Sequence, residues 1–184
     1  MARLLGYFNR DNKDRIVNVL VATSGDTGSA VANGFLGVDG VRVFVLYPKG
    51  KVSPIQEVQF ATLGQNIVAL EIDGTFDDCQ ALVKRAFLDD ELAGKMMLTS
   101  ANSINVARFL PQMFYYFYAW AQLASLGADM DEVVICVPSG NFGNITAGLI
   151  AKRMGLPIKR FIAANNANDI FYSWNFNLWI YFLS

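Results

Sequence analysis

The chain has 184 residues, 53% hydrophobic and 17% charged, with a formal net charge of −1 and no histidine. Such a composition excludes disorder and carries no electrostatic footprint for nucleic acid or an acidic membrane surface. Without histidine there is no Ser-His-Asp or Cys-His catalyst, and most zinc sites are excluded too.

From the amino end, Met1 to Phe8 is too short and too mixed for a signal peptide. Short β-branched runs then recur as expected buried strands: Ile16 to Ala22, Val41 to Tyr47, Ile67 to Ile72, Val133 to Val137 and Lys159 to Ala164. Segments of helical spacing or composition lie between them: Thr27 to Leu36, Ser53 to Leu63, Phe76 to Leu88, Asn105 to Leu126 and Asn144 to Met154. Ser53-Pro54 reads as an N-cap and first-turn pair, with Gly64 following the helix. Strand and helix alternating at this pitch predict an α/β fold, an open and mostly parallel sheet with helices on both faces. Two long uncharged runs are interrupted, at Pro111, Gln112 and Gln122 and at Pro138, Ser139, Gly140, Asn141 and Asn144, so neither reads as a membrane span. Cys79 and Cys136 match no metal-ligand spacing and read as reduced thiols, which suits a cytoplasmic protein without a metal.

Ligands of open α/β sheets gather beyond the carboxyl ends of the strands, which directs attention to the loops after Ala22 and Val137. The first is Thr23-Ser24-Gly25-Asp26-Thr27-Gly28-Ser29. Its small residues, the N–H groups of the following helix start and the hydroxyls of Thr23, Ser24 and Thr27 favour an anion. A plain strand-to-helix turn with Ser24 or Asp26 as N-cap accounts for the same residues. The second is Pro138-Ser139-Gly140-Asn141-Phe142-Gly143-Asn144, whose glycines and asparagines suit a nest of N–H groups around a phosphate, or simple turn chemistry. It is neither a Walker loop nor a dinucleotide fingerprint. A third segment, Ser100 to Arg108, puts Asn105 at a helix cap and Arg108 one turn in. An arginine there opposes the helix dipole unless an anion lies between them; a solvated arginine is the plainer alternative. Asp26-Thr27-Gly28 also looks like half of an aspartic-protease signature, but the second half is missing and the βα alternation contradicts it.

The strings VATSGDTGSAVANGF, NSINVARFLPQ and VPSGNFGNITAG, in this order and spacing, resemble the threonine synthase family over about residues 1–173. That family belongs to the tryptophan-synthase-like (fold type II) enzymes, uses pyridoxal 5'-phosphate (PLP), and converts O-phosphohomoserine and water to threonine and phosphate. The resemblance implies that Gly140, Asn141, Phe142, Gly143 and Asn144 hold the cofactor phosphate. It places Thr23, Ser24, Asp26 and Thr27 against the substrate and the cofactor face, Asp26 on the cofactor side. It gives Asn102, Ser103 and Arg108 to the substrate phosphate or the product. The partner implied is a small molecule, with no nucleic acid and no membrane.

The resemblance also implies a Schiff-base lysine in a segment upstream of Met1, so no catalytic residue is expected within the chain. Lys13 lies in a polar turn, and Lys49, Lys51, Lys84, Lys95, Lys152 and Lys159 lack the family context. The expectation is a partial domain over 1–173 and an aberrant apolar tail over 174–184, inactive by itself. The alternative is a non-catalytic remnant that binds phosphate compounds or nothing.

Overall fold

The computed structural model of the chain describes residues 1–12, 15–103, 105–138, 142–164 and, as backbone, 180–183. The chain divides into two compact units, Met1–Asn105 and Val106–Ser184.

The first unit runs α1 (Ala2–Asn9), β1 (Val17–Ala22), α2 (Asp26–Phe35), β2 (Val41–Pro48), α3 (Pro54–Ala61), β3 (Ile67–Ile72), α4 (Phe76–Leu88), α5 (Asp90–Lys95) and β4 (Met97–Ser100). Its sheet has the order β3-β2-β1-β4, parallel at every pairing. β1 is central and all six of its residues are buried, which is why its run is apolar on both faces. Val19, Val21, Val43 and Val45 are fully excluded from solvent in one core with Val31 and Phe35 of α2 and Phe60 of α3. Each such valine contributes on the order of 1.5–3 kcal/mol. Leu20, Ala22 and Leu46 pack in another core with Cys79 and Val83 of α4. From β1 the chain goes to β2 on one side, and after β3 it crosses to β4 on the other. This reversal makes the crevice at the carboxyl ends of β1 and β4 the switch point where ligands bind in such sheets.

The second unit holds α6 (Val106–Phe109), a 3-10 turn over Leu110–Gln112, α7 (Met113–Ser125), β5 (Val134–Pro138), α8 (Gly143–Arg153), β6 (Arg160–Ala164) and β7 (Ile180–Leu183). Its sheet is parallel in the order β5-β6-β7. Val137, Phe161 and Ala163 form a core with Tyr116 of α7 and Ile145, Ala147 and Ala151 of α8, while Val134 and Cys136 are exposed.

The α/β class with a parallel sheet flanked by helices is therefore what the alternation predicts. Its single sheet is not: the expected strands are distributed over two sheets. The expected helix from Asn105 to Leu126 is broken at Pro111, which has no N–H to continue the ladder. β4, with four residues, and the short helices α1 and α5 carry too little periodicity to be read from sequence. Ile180–Leu183, in the apolar tail, pairs with β6 as a strand.

Candidate functional site

In the first unit the loop after β1 is braced from within. Thr23 is 1% exposed, and its hydroxyl oxygen accepts from the N–H groups of Gly25 at 2.9 Å and Gly28 at 2.8 Å. Gly25, at φ 145°, is the N-cap residue of α2 and makes no side-chain cap, so neither Ser24 nor Asp26 plays that part. Thr23 instead satisfies the third amide of the helix from outside. Gly28 has to be glycine, since a Cβ there would lie 2.4 Å from Thr23 Cγ2. Ser24 and Asp26 are exposed and Thr27 is half-buried. Among the described residues no acceptor meets the N–H groups of Asp26 and Thr27. These two amides stand at the positive end of a ten-residue helix, an arrangement that attracts an anion.

Asn102 closes the crevice on the β4 side. Its Oδ1 accepts from Ala22 N at 2.9 Å and its Nδ2 donates to Ala22 O at 2.8 Å, so the amide continues the β1–β4 ladder by one side-chain rung. Asn102 N donates to Ser100 Oγ at 3.1 Å, and Asn105 Nδ2 donates to Ser100 O at 2.8 Å. The half-buried Asn102, with Ser103 next to it in the chain, thus ties down the end of β1 from which the 23–27 loop departs. Asn102 does so as a fastener of Ala22, the last residue of β1, with its amide already paired.

In the second unit Arg108 lies on α6, which packs against α8. Burial pushes its guanidinium down from the ordinary arginine value, a desolvated cation for which an anionic partner is favourable. Gln112 Nε2 donates to Arg108 O at 3.1 Å, and Asn144 Nδ2 donates to Gln112 Oε1 at 3.2 Å. The Tyr116 hydroxyl donates to Asn144, at its Oδ1 and at its main-chain oxygen 3.0 Å away. Buried to 5% exposure, that phenol is pushed up to about 12. Asn144 is thereby fixed in the first turn of α8. Phe142, the N-cap residue, holds a left-handed φ of 57° and packs on the core. A non-glycine residue there stores on the order of 1 kcal/mol of strain. Among the described residues no acceptor meets the Gly143 and Asn144 amides, which open an eleven-residue helix. Gly140 and Asn141, with Ser139, lie outside the described residues.

Sequence reasoning missed the supporting side chains: Gln112 and Tyr116 beside Asn144, and Gln56 of α3, which donates to Asp26 Oδ1 at 2.6 Å. Gln112 closes the string NSINVARFLPQ but had no role assigned to it, and no motif marks Tyr116 or Gln56, which act from other elements. None of the described lysines is buried; Lys152 is half-buried and donates to Lys159 O at 3.0 Å. Lys159 is ion-paired to Glu132 and Lys95 to Glu91. Among the described residues there is no His/Cys/Asp/Glu cluster able to hold a metal, and no helix is long and apolar enough to cross a membrane.

Parallel strands that lead into glycine-containing helix starts define an α/β protein. The family model of pyridoxal-phosphate dependent enzymes matches residues 2–175, and the chain belongs to that family, whose cofactor is pyridoxal phosphate. Within the family the resemblance is to threonine synthases. It is 54% identical over 169 residues to the threonine synthase of Buchnera aphidicola subsp. Baizongia pistaciae, covering 92% of this chain and 39% of that one. The crystal structure of threonine synthase from Escherichia coli superposes with a TM-score of 0.83 at 52% identity, over 97% of this chain and 42% of the other. The PLP-bound threonine synthase from Brucella melitensis gives 0.78 at 47% identity, over 92% and 36%. The chain thus spans about two fifths of the length of these relatives.

Proposed function

We propose that the chain is part of a threonine synthase that works with pyridoxal 5'-phosphate to convert O-phosphohomoserine and water to threonine and phosphate. The observation that carries this reading is the 54% identity over 169 residues, which includes all three loop motifs. The residues present fit the cofactor. Gly140 to Asn144 are given to the cofactor phosphate, and of these Gly143 and Asn144 open α8, where their unmatched amides suit it. Bound pyridoxal phosphate supplies an electron sink for the reacting carbon. The chain's own residues bind and orient. Asp26 faces the cofactor, Ser24 and Thr27 face the substrate, and Thr23 keeps their loop in shape. In the first unit Ser103 is given to the substrate phosphate, with Asn102 fixing the crevice beside it; in the second unit Arg108, half-buried on α6, is given to a phosphate by the same resemblance. Free thiols at Cys79 and Cys136 suit a reducing compartment, and we place the protein in the cytoplasm.

We further propose that the 184 residues alone bind without turnover. A nucleophilic lysine needs a desolvated amine, and the described lysines are exposed, ion-paired or, at Lys152, only half-buried and donating to a backbone oxygen. The binding reading is tested by titrating the ¹⁵N-labelled chain with PLP and, separately, with pyridoxal, which lacks the phosphate. The amides of Phe142 to Ile145 are expected to move with PLP and not with pyridoxal. O-phosphohomoserine is expected to move the Arg108 resonances where homoserine does not. Silence of both regions toward both phosphorylated compounds would overturn the assignment.

A further inference from the structure

Gln56 belongs to no motif, yet it stands at the centre of the first unit's loop. The Ser53 hydroxyl donates to Gln56 Oε1 at 2.8 Å, and Gln56 Nε2 donates to Asp26 Oδ1 at 2.6 Å. Between the two, the carboxamide fills the space beside Gly25: a Cβ on that glycine would lie 2.5 Å from Gln56 Cδ and 2.6 Å from its Nε2 and Oε1. The backbone joins in, since Ser29 Oγ donates to Gln56 O at 3.3 Å and Asn33 Nδ2 to Gln59 O at 3.0 Å. α3 is thus sewn to the start of α2 along one edge.

The consequence concerns the charge on Asp26. An aspartate in the first turn of a helix is drawn to the unsatisfied amides there, by hydrogen bonding and by the dipole together. Asp26 occupies that turn, but its Oδ1 reaches across to α3, and the Asp26 and Thr27 amides meet no acceptor among the described residues. We propose that Gln56 is a positioning residue: it holds the Asp26 carboxylate off the amino terminus of α2, so that those amides stay open to an anionic group of a ligand. Without Gln56 the carboxylate turns onto its own helix start. It then satisfies the amides internally and puts a negative charge where the ligand's anion has to sit. This rests on the reading of the 23–27 loop as an anion site, and the chemistry it selects for is a carboxylate or a phosphate.

The test uses the ¹⁵N-labelled chain and three variants: Gln56→Ala, Gln56→Glu, and Gln56→Ala combined with Asp26→Ala. Gln56→Glu keeps the side-chain volume, loses the donor and repels Asp26, so it serves where the alanine variant packs poorly. In the ligand-free state Gln56→Ala is expected to shift the amide protons of Asp26 to Gly28 downfield and slow their exchange. Removing the Asp26 carboxylate in the double variant is expected to abolish both changes, which a merely structural role for Gln56 would not do. Inorganic phosphate and L-homoserine are then titrated separately, one bringing a phosphate and the other a carboxylate. Whichever moves these amides in the parent chain is expected to lose roughly three- to tenfold in affinity in either single variant, and to recover part of that loss in the double variant. Unmoved amides in Gln56→Ala and Gln56→Glu, or a loss that persists when Asp26 is removed, would overturn the role of Gln56. If neither probe moves the parent amides, the anion-site reading fails, while the ligand-free shifts still decide where Gln56 holds the carboxylate.

Discussion

The hydroxyl of Thr23 accepts two N–H groups of its own loop while the residue is 1% exposed. Thr23→Val keeps the shape and removes the acceptor, leaving the Gly25 and Gly28 amides buried and unmatched. The expected loss is about 1–3 kcal/mol, read as a lower urea midpoint at unchanged slope, with Thr23→Ser retaining most of the stability. From sequence, Thr23 was one of three hydroxyls facing a ligand, and nothing local separates it from Ser24 or Thr27. Its inward orientation depends on Gly28 leaving room for Cγ2, a contact between residues five apart. Tyr116 makes a second prediction, in pH. Its phenol is pushed up to about 12 by burial, from an ordinary value near 10. Between those values the folded chain keeps a proton that the unfolded chain has released. Stability from this group is therefore complete below pH 10 and falls as pH rises toward 12, by up to about 1.4 kcal/mol per pH unit. Tyr116→Phe should flatten that part of the stability–pH curve in alkaline denaturation.

Helix ends show how far local rules carry. Ser53 caps α3 by accepting from Gln56 N, as Ser53-Pro54 predicts. Thr75 and Asp78 form a reciprocal capping box at α4 that the same rules could have found. The long apolar segment after Asn105 was legible as helix but not as two helices, because its interruption is a 3-10 turn at Pro111 inside an otherwise continuous pattern. Packing between elements was not legible at all. α8 lies so close to its neighbours that a Cβ at Gly148 would be 2.6 Å from Tyr116 Cζ and 2.7 Å from Phe161 Cε1. The two rings themselves meet edge to face at 5.8 Å. Gly148→Ala should gain up to about 1 kcal/mol in helix propensity and lose more through overpacking, for a net destabilisation of about 1–3 kcal/mol. A thermal melt of the variant checks the sign: a raised midpoint would mean that α8 can shift outward without loss.

At the scale of the whole chain, alternation identifies βα units but not where one sheet stops. That boundary depends on which strand edges pair, a non-local choice that the repeated Val- and Ile-rich runs leave open; here it falls between β4 and β5. The loops that follow strands were legible as candidate anion sites, since their glycines and hydroxyls are local, whereas the residues that hold them, Gln56, Gln112 and Tyr116, come from other helices. The remaining question is chemical competence. For binding, the residues proposed are those at the starts of α2 and α8, and Arg108. Turnover by a pyridoxal-phosphate enzyme also needs a lysine amine kept out of water and aimed at the cofactor. Lys49, Lys51, Lys84 and Lys95 are exposed, Lys152 is only half-buried and donates to a backbone oxygen, and Lys159 is held by Glu132. Purified chain supplied with PLP and O-phosphohomoserine should therefore release no phosphate above a PLP-only control, and the cofactor should leave on gel filtration. Sustained release that disappears when one of these lysines is replaced by alanine would show that the chain does carry its own catalytic amine. Release unaffected by replacing each of these lysines, and Lys13 with them, would instead separate turnover from lysine chemistry and remove the basis of the prediction.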